Sequence, residues 1–301
     1  MNHTILLLPP DPSLSPALAA EVQALAPGHV LLRDPRLLGD GELARVDVVL
    51  GWRFPPGLAG RLPALRWVCS MAAGVEKLLV PDLAATVPVS RMVDPDQALG
   101  IAQYVTLMAL RHVREQPLYD AQQRERSWRR HPIAAARPHV AVLGWGAVGR
   151  ALAAPLQALG FTVEGWHRGA GDLFALLARS DIVVVALPLT PETSGLLDAR
   201  AFAAMRRGAY LVNVARGGHV VEADLIAAVA SGQLAGAALD VQQHEPLPPD
   251  DPLWTAPGIT ITPHIAAQSS FATVARQFVD GLACLDAGRP LPNLVDRMRG
   301  Y

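Results

Sequence analysis

His139-Val-Ala-Val-Leu-Gly144-Trp-Gly146-Ala-Val-Gly149-Arg-Ala-Leu152 is the stretch that decides the fold. Its first five residues read as a buried strand, a GxGxxG follows, and Val148–Leu159 then reads as a helix. Each glycine has a physical task in such a unit. Gly144 makes the tight turn off the strand, Gly146 lets the backbone approach a pyrophosphate, and Gly149 lets helix and strand pack closely. Ala147 and Val148 open the helix, whose first N–H groups have no partner within it and offer partial positive charge to an anion. Gly144, Gly146, Ala147, Val148 and Gly149 are therefore expected to cradle a dinucleotide.

Outward from this loop the chain alternates strands and helices. After it, strands are expected at Thr162–Trp166, Ile182–Leu187, Tyr210–Val214, Gly236–Val241 and Ile259–Thr262, with a helix at Glu222–Ser231 among the connections. Before it, Thr4–Leu8, Val46–Gly51, Arg66–Ser70 and Val87–Arg91 read as strands and Ser15–Leu25 as a helix. Residues 97–116 place Ile101, Val105, Met108 and Val113 at helical spacing. Arg111–Arg130 is polar, is interrupted by Pro117, and reads as an irregular arm. Ser269–Gly288 reads as a long helix that would return to the first domain. The expected fold class is α/β: two doubly wound parallel-sheet domains, a Rossmann cofactor domain (101–267) inserted into a flavodoxin-like substrate domain (1–100 plus 268–301).

Composition narrows the function. The chain has 301 residues, enough for about two domains, and 51% are hydrophobic, enough for large cores. A net charge of -1 gives no global attraction to nucleic acid, so no nucleic-acid partner is expected. The apolar runs Ile5–Leu8 and Ile182–Leu189 fall far short of a membrane span, and the N-terminus reads as a strand, so no membrane partner is expected and the protein is placed in the cytoplasm. Two cysteines, Cys69 and Cys284, cannot build a disulfide framework or a zinc site by themselves, and no metal site is expected.

The end of the second strand after the glycine loop selects the nucleotide. NAD-binding units place Asp or Glu there to hold the ribose 2′-hydroxyl. Here the strand ends Gly165-Trp166-His167-Arg168, with Glu164 lying earlier, inside the strand. A carboxylate would repel a 2′-phosphate, whereas Arg168 can pair with it bidentately. His167 and Arg168 thus predict NADPH over NADH.

Arg216, Glu245 and His264 each follow an expected strand at its carboxyl end, where ligands bind in doubly wound sheets. Together with Leu143-Gly-Trp-Gly-Ala-Val-Gly149, Leu187-Pro-Leu-Thr-Pro-Glu-Thr193, Val212-Asn-Val-Ala-Arg-Gly217, His244-Glu-Pro-Leu-Pro248 and Thr262-Pro-His-Ile265, they give the chain a resemblance to the D-isomer-specific 2-hydroxyacid dehydrogenases. The motifs cover nearly the whole chain in the family's order. The Trp-His-Arg strand end and the C-terminal Val295-Asp-Arg-Met-Arg-Gly-Tyr301 are similar to the bacterial NADPH-dependent glyoxylate/hydroxypyruvate reductases.

The resemblance implies an enzyme that reduces a small 2-keto acid to the 2-hydroxy acid at a cleft between its domains. It implies His264 as the acid, Glu245 as the carboxylate that fixes the imidazole, and Arg216 as the partner of the substrate carboxylate. It places Leu187, Pro188, Thr193, Val214, Ala215 and Asp240 along the dinucleotide, with Asp240 at the nicotinamide amide. In Ser70-Met-Ala-Ala73-Gly74-Val75 it implies that the N–H groups of Ala73 and Gly74 hold the substrate carboxylate. Trp52 and Arg53 are candidate pocket walls, and Trp128 a candidate contact of an expected homodimer. Alternatives are a D-lactate or phosphoglycerate dehydrogenase and a non-catalytic nicotinamide-sensing protein on the same fold. Two features depart from the family: only residues 169–180 separate Arg168 from Asp181, where relatives fit a further strand, and Gln103 stands where relatives often carry Glu.

Overall fold

The computed structural model describes residues 2–131 and 137–297. It divides into two compact units, Met1–Pro95 with Gln268–Tyr301 and Asp96–Ala267. Residues 132–136 and the C-terminal part of the Val295–Tyr301 motif lie outside the described residues.

In the first unit the chain runs β1 (Thr4–Leu8), α1 (Ser15–Leu25), β2 (Val30–Arg33), α2 (Asp40–Leu43), β3 (Val48–Gly51), β4 (Trp67–Ser70) and β5 (Val89–Ser90). The strands form one parallel sheet in the order β2-β1-β3-β4-β5. The two-residue period of a strand explains its double cover. Ile5, Leu7, Val48, Leu50 and Trp67 face one core, shared with Leu18 and Val22 of α1 and with Phe278 and Leu282 of a late helix. Leu6, Leu8, Val49 and Val68 face the other, with Leu43, Phe54 and Leu62. Trp67 stacks on Phe278 at 5.3 Å between ring centroids. Burial of Phe278 alone contributes about 1.5–3 kcal/mol. The buried His3 ring binds Asp47 through Nδ1 and Asp286 through Nε2, which ties the end of that late helix to the start of β1.

The second unit begins on α3 (Pro95–Val113) and α4 (Gln116–Arg124). It continues through β6 (His139–Leu143), α5 (Ala147–Ala151), α6 (Ala153–Ala158), β7 (Thr162–Trp166), α7 (Leu173–Arg179) and β8 (Ile182–Val185). Then come α8 (Ala199–Ala204), β9 (Ala209–Asn213), α9 (Glu222–Ala230), β10 (Leu234–Leu239) and β11 (Ile259–Ile261). The late helix, α10 (Phe271–Asp286), returns to the first unit. The second sheet is parallel throughout, in the order β11-β10-β9-β8-β6-β7. Leu143, Val185, Leu211 and Leu239 face a core with α7, α8 and α9, while Val142, Val184 and Val212 face one with α3 and Leu156. The chain leaves β6 for β7 on one side and then crosses to β8 on the other. The strand order thus reverses at β6, a topological switch point, and the glycine loop sits at its carboxyl end.

The structure differs from the sequence reading at three places. Val30–Arg33 is a four-residue edge strand whose apolar run, Val30–Leu32, is short and only partly buried, so the sequence reading passes over it. Within the expected arm, Gln116–Arg124 is a helix; Pro117 sits in its first turn, where its missing N–H costs nothing. The expected helix Val148–Leu159 is two short helices, because Pro155 cannot donate to the carbonyl of Ala151. The short segment 169–180 is as the sequence reading has it: among the described residues no strand lies beyond β7, the sheet edge, and residues 169–180 hold a turn and α7, capped by Asp172 accepting from Phe174 N at 2.8 Å. No helix among the described residues is long and apolar enough to cross a membrane, and those residues hold no cluster of metal-ligating side chains.

Candidate active site

The glycine loop has the shape that a pyrophosphate needs. Gly144 adopts φ +111°, and a Cβ there would lie 2.3 Å from Ala186 O. A Cβ on Gly149 would meet Gly144 O at 1.8 Å, so helix and turn touch only because both are glycines. Gly146, by contrast, has nothing within 4 Å of its Cβ position. It is the N-cap of α5 and faces open space, beside the backbone of Ala147, Val148 and Gly149. The residues present fit a dinucleotide phosphate bridge.

Around this loop the strand ends supply walls. Leu187 and Ala215 are buried and Val214 is partly buried, with its N–H donating to Val185 O. The Thr193 hydroxyl is committed within its own turn: it donates to Pro188 O at 2.8 Å and accepts from Thr190 N at 2.8 Å. At the end of β7, His167 and Arg168 are both exposed. His167 Nδ1 lies 3.1 Å from Arg168 O, and the Arg168 guanidinium pairs with Glu192 at 3.1 Å.

The three candidate catalytic residues, Arg216, Glu245 and His264, follow β9, β10 and β11 respectively. Asn213, fully buried, shapes the first turn: its amide accepts from Ala215 N at 3.1 Å and donates to Arg216 O at 2.9 Å. The Arg216 guanidinium donates to Ala215 O at 2.7 Å, which sets its direction. His264 Nδ1 lies 3.2 Å from each carboxylate oxygen of Glu245. Glu245 in turn accepts from Gln242 N at 3.3 Å. His264 itself holds a left-handed φ of 57°. For a residue with a Cβ that conformation costs about 1–3 kcal/mol and needs support from its surroundings.

Asp240, 1% exposed, supplies the support. Its carboxylate accepts from Ile265 N at 2.9 Å, Ala266 N at 2.8 Å and the Thr262 hydroxyl at 2.6 Å, while its carbonyl accepts from His264 N at 2.8 Å. Thr262 is also bonded to the Tyr104 hydroxyl of α3 at 2.7 Å. The arrangement of imidazole, carboxylate and guanidinium can deliver a proton to a carbonyl oxygen and neutralise an adjacent carboxylate.

Three supporting residues are not singled out in the sequence: Tyr104 and His219 lie outside every motif, and Thr262 opens the Thr262-Pro-His-Ile265 motif without a role of its own. Thr262 braces Asp240 from 22 residues away, and Tyr104 in turn bonds Thr262 from 158 residues away, a link that only the fold makes. His219, fully buried, sets Nδ1 at 2.9 Å from Arg216 O and Nε2 at 3.2 Å from Pro188 O, joining the Arg216 turn to the Pro188 loop. A histidine three residues past an arginine was the only available hint. Gln103 is exposed on α3.

The remaining predicted residues lie in the first unit, at the ends of β3 and β4. Trp52 is half-buried, with the Lys77 ammonium 5.7 Å from its ring centroid, and Arg53 is exposed. The Ser70 hydroxyl donates to Gly74 O at 2.9 Å and accepts from Ala72 N at 3.0 Å, so the loop bearing Ala73 and Gly74 is stapled and Ala73 faces outward.

Comparison with known proteins gives the family. Residues 106–266 match the family described as D-isomer specific 2-hydroxyacid dehydrogenase, NAD binding domain. The chain is 34% identical over 285 residues to glyoxylate/hydroxypyruvate reductase A of Yersinia enterocolitica, covering 87% of this chain and 90% of that protein. Among solved structures it is similar to the NADPH-dependent glyoxylate/hydroxypyruvate reductase of Sinorhizobium meliloti in complex with NADP and sulfate, with 33% identity, a TM-score of 0.90 and 100% of both chains covered. It is also similar to a D-isomer specific 2-hydroxyacid dehydrogenase of Xanthobacter autotrophicus in complex with NADPH and MES, with 38% identity, a TM-score of 0.88 and 100% of both chains covered. On these matches the chain belongs to the D-isomer specific 2-hydroxyacid dehydrogenase family, a family of oxidoreductases.

Proposed function

We propose that the protein reduces a small 2-keto acid, glyoxylate or hydroxypyruvate, to the corresponding 2-hydroxy acid with NADPH. The observation that carries the reading is the His264–Glu245 pair, set at the strand ends that also present Arg216. The substrate class is supported by the names of the relatives, and the cofactor by Arg168 at the end of β7 and by the nucleotides bound in the similar structures.

The dihydronicotinamide supplies the hydride when bound. The backbone of Gly144, Gly146, Ala147, Val148 and Gly149 receives the pyrophosphate, and Leu187, Pro188, Thr193, Val214 and Ala215 form the walls. Arg168 pairs with the 2′-phosphate beside His167. Arg216 holds the substrate carboxylate and polarises the keto group. With Nδ1 turned to Glu245, His264 presents Nε2 and gives its proton to the carbonyl oxygen. Glu245 stabilises the imidazolium before that transfer. Asp240 holds the His264 loop in addition to its assigned place at the nicotinamide amide. Trp52, Ala73 and Gly74, in the unit assigned as substrate domain, are given substrate contact on the family motif alone.

A homodimer in the cytoplasm completes the proposal. Trp128 is 91% exposed, a large apolar surface that a partner subunit would cover. Both cysteines are free thiols, which suits a reducing compartment.

The test is initial rates at 340 nm with NADPH and NADH against glyoxylate, hydroxypyruvate, pyruvate and phenylpyruvate. Fastest turnover is expected for NADPH with glyoxylate or hydroxypyruvate. Pyruvate as the best substrate would move the reading to a D-lactate type. Nucleotide binding without turnover of any acid would replace the enzyme reading with a sensor.

A further inference from the structure

Arg168 and Glu192 sit on loops that flank the glycine turn. Arg168 follows β7 and Glu192 lies in the loop after β8, and β6 runs between those two strands. The ion pair between them, 3.1 Å long, therefore joins the two sides of the switch point where the adenosine half of a dinucleotide lies. Glu192 does not swing freely: the Thr190 hydroxyl donates to its carboxylate at 2.7 Å, and Thr193 anchors the same turn through Pro188 O. These contacts, the Thr190 hydroxyl foremost, hold the Glu192 carboxyl below the usual carboxylate range, so it is anionic at neutral pH.

We propose that Glu192 is a specificity-determining residue: it competes with the 2′-phosphate of NADPH for the Arg168 guanidinium and so limits the preference for NADPH over NADH. The proposal rests on the NADPH reading above. Its logic is one of charge. A phosphate at the end of β7 must draw Arg168 from Glu192. A ribose bearing a 2′-hydroxyl makes no such demand. Both side chains of the pair are well exposed, at 64% and 60%, so the competition is weak and the pair yields readily to a dianion.

Isothermal titration calorimetry of the full chain with NADP+ and with NAD+ tests this directly, for wild type, E192Q, R168A and the double variant. Exposed ion pairs set the scale, so E192Q is expected to tighten NADP+ binding about threefold. NAD+ binding should stay within error, and the gain should vanish in the R168A background. An unchanged or weaker NADP+ affinity in E192Q, or an equal gain for NAD+, would overturn the role of Glu192. A different result would strike the parent reading: wild type that binds neither nucleotide, or R168A that binds NADP+ as well as wild type, removes the cofactor assignment itself.

Discussion

The Asp240 carboxylate accepts the Ala266 backbone N–H at 2.8 Å, two residues beyond His264. With Ile265 N and the Thr262 hydroxyl also bound, the buried carboxylate acts as a cap for the loop that carries the proposed acid. Asparagine in this place keeps one oxygen but turns an NH2 group toward a donor. D240N should therefore lose about 2 kcal/mol of stability, the cost of one buried unsatisfied group. Its kcat should fall about tenfold or more as His264 leaves its left-handed pose. Urea unfolding and steady-state rates measure the two effects; an unchanged kcat would show that the cap does not set the position of His264.

The His264–Glu245 contact makes a sharper claim about chemistry. H264A removes the proton donor and leaves the glycine loop intact. Turnover should drop by about 10²–10⁴-fold while NADP+ affinity stays near wild type. E245Q keeps a polar neighbour for the ring but removes its charge, and should retain more activity than H264A. Near-normal kcat in H264A would sink the assignment.

Much of this was legible in the sequence for a local reason. Parallel strands covered on both faces are continuous apolar runs, so Thr4–Leu8 and His139–Leu143 match the observed strands, while the edge strand Thr162–Trp166 is placed by its spacing after the glycine loop. Glycine at 144, 146 and 149 answers to steric limits that few other sequences satisfy. What failed to show was whatever depends on neighbours distant in the chain. The edge strand β2 has only the short apolar run Val30–Leu32, and α4 is a polar helix whose only signal, Pro117, reads equally as a break. The bracing of Asp240 by Tyr104 through Thr262, the His219 link and the Arg168–Glu192 pair span from 22 to 158 residues or join separate loops, and no motif spacing encodes them.

His112 offers a test of burial through acid stability. The ring stacks on Tyr210 at 4.5 Å between centroids, and desolvation there pushes its pKa below the ordinary imidazole value of 6.5, against the pull of Asp181 and Glu115. The sign follows from linkage. Between the lowered folded value and the ordinary unfolded one, only the unfolded chain takes the proton, so stability falls as pH drops through that window. H112F keeps an aromatic ring against Tyr210 and removes the proton site. Its melting temperature should decline less than that of wild type between pH 7 and pH 5. Parallel declines in the two proteins would show that His112 is not a source of the acid sensitivity.

Cys69 gives a probe of the first core that is independent of catalysis. Its thiol lies on β4 among Trp67, Val274 and Phe278, and burial pushes its pKa up to about 12. The thiolate is the reactive form, so at pH 8 the folded protein should protect Cys69 on two counts, charge and access. Ellman's reagent added to native protein should label Cys284, which is partly exposed on α10, and reach Cys69 only after denaturation. In C284S the native signal should then vanish and return in full with denaturant. Rapid labelling of native C284S would mean that β4 and α10 separate often enough to admit the reagent, which the stacked Trp67–Phe278 pair argues against.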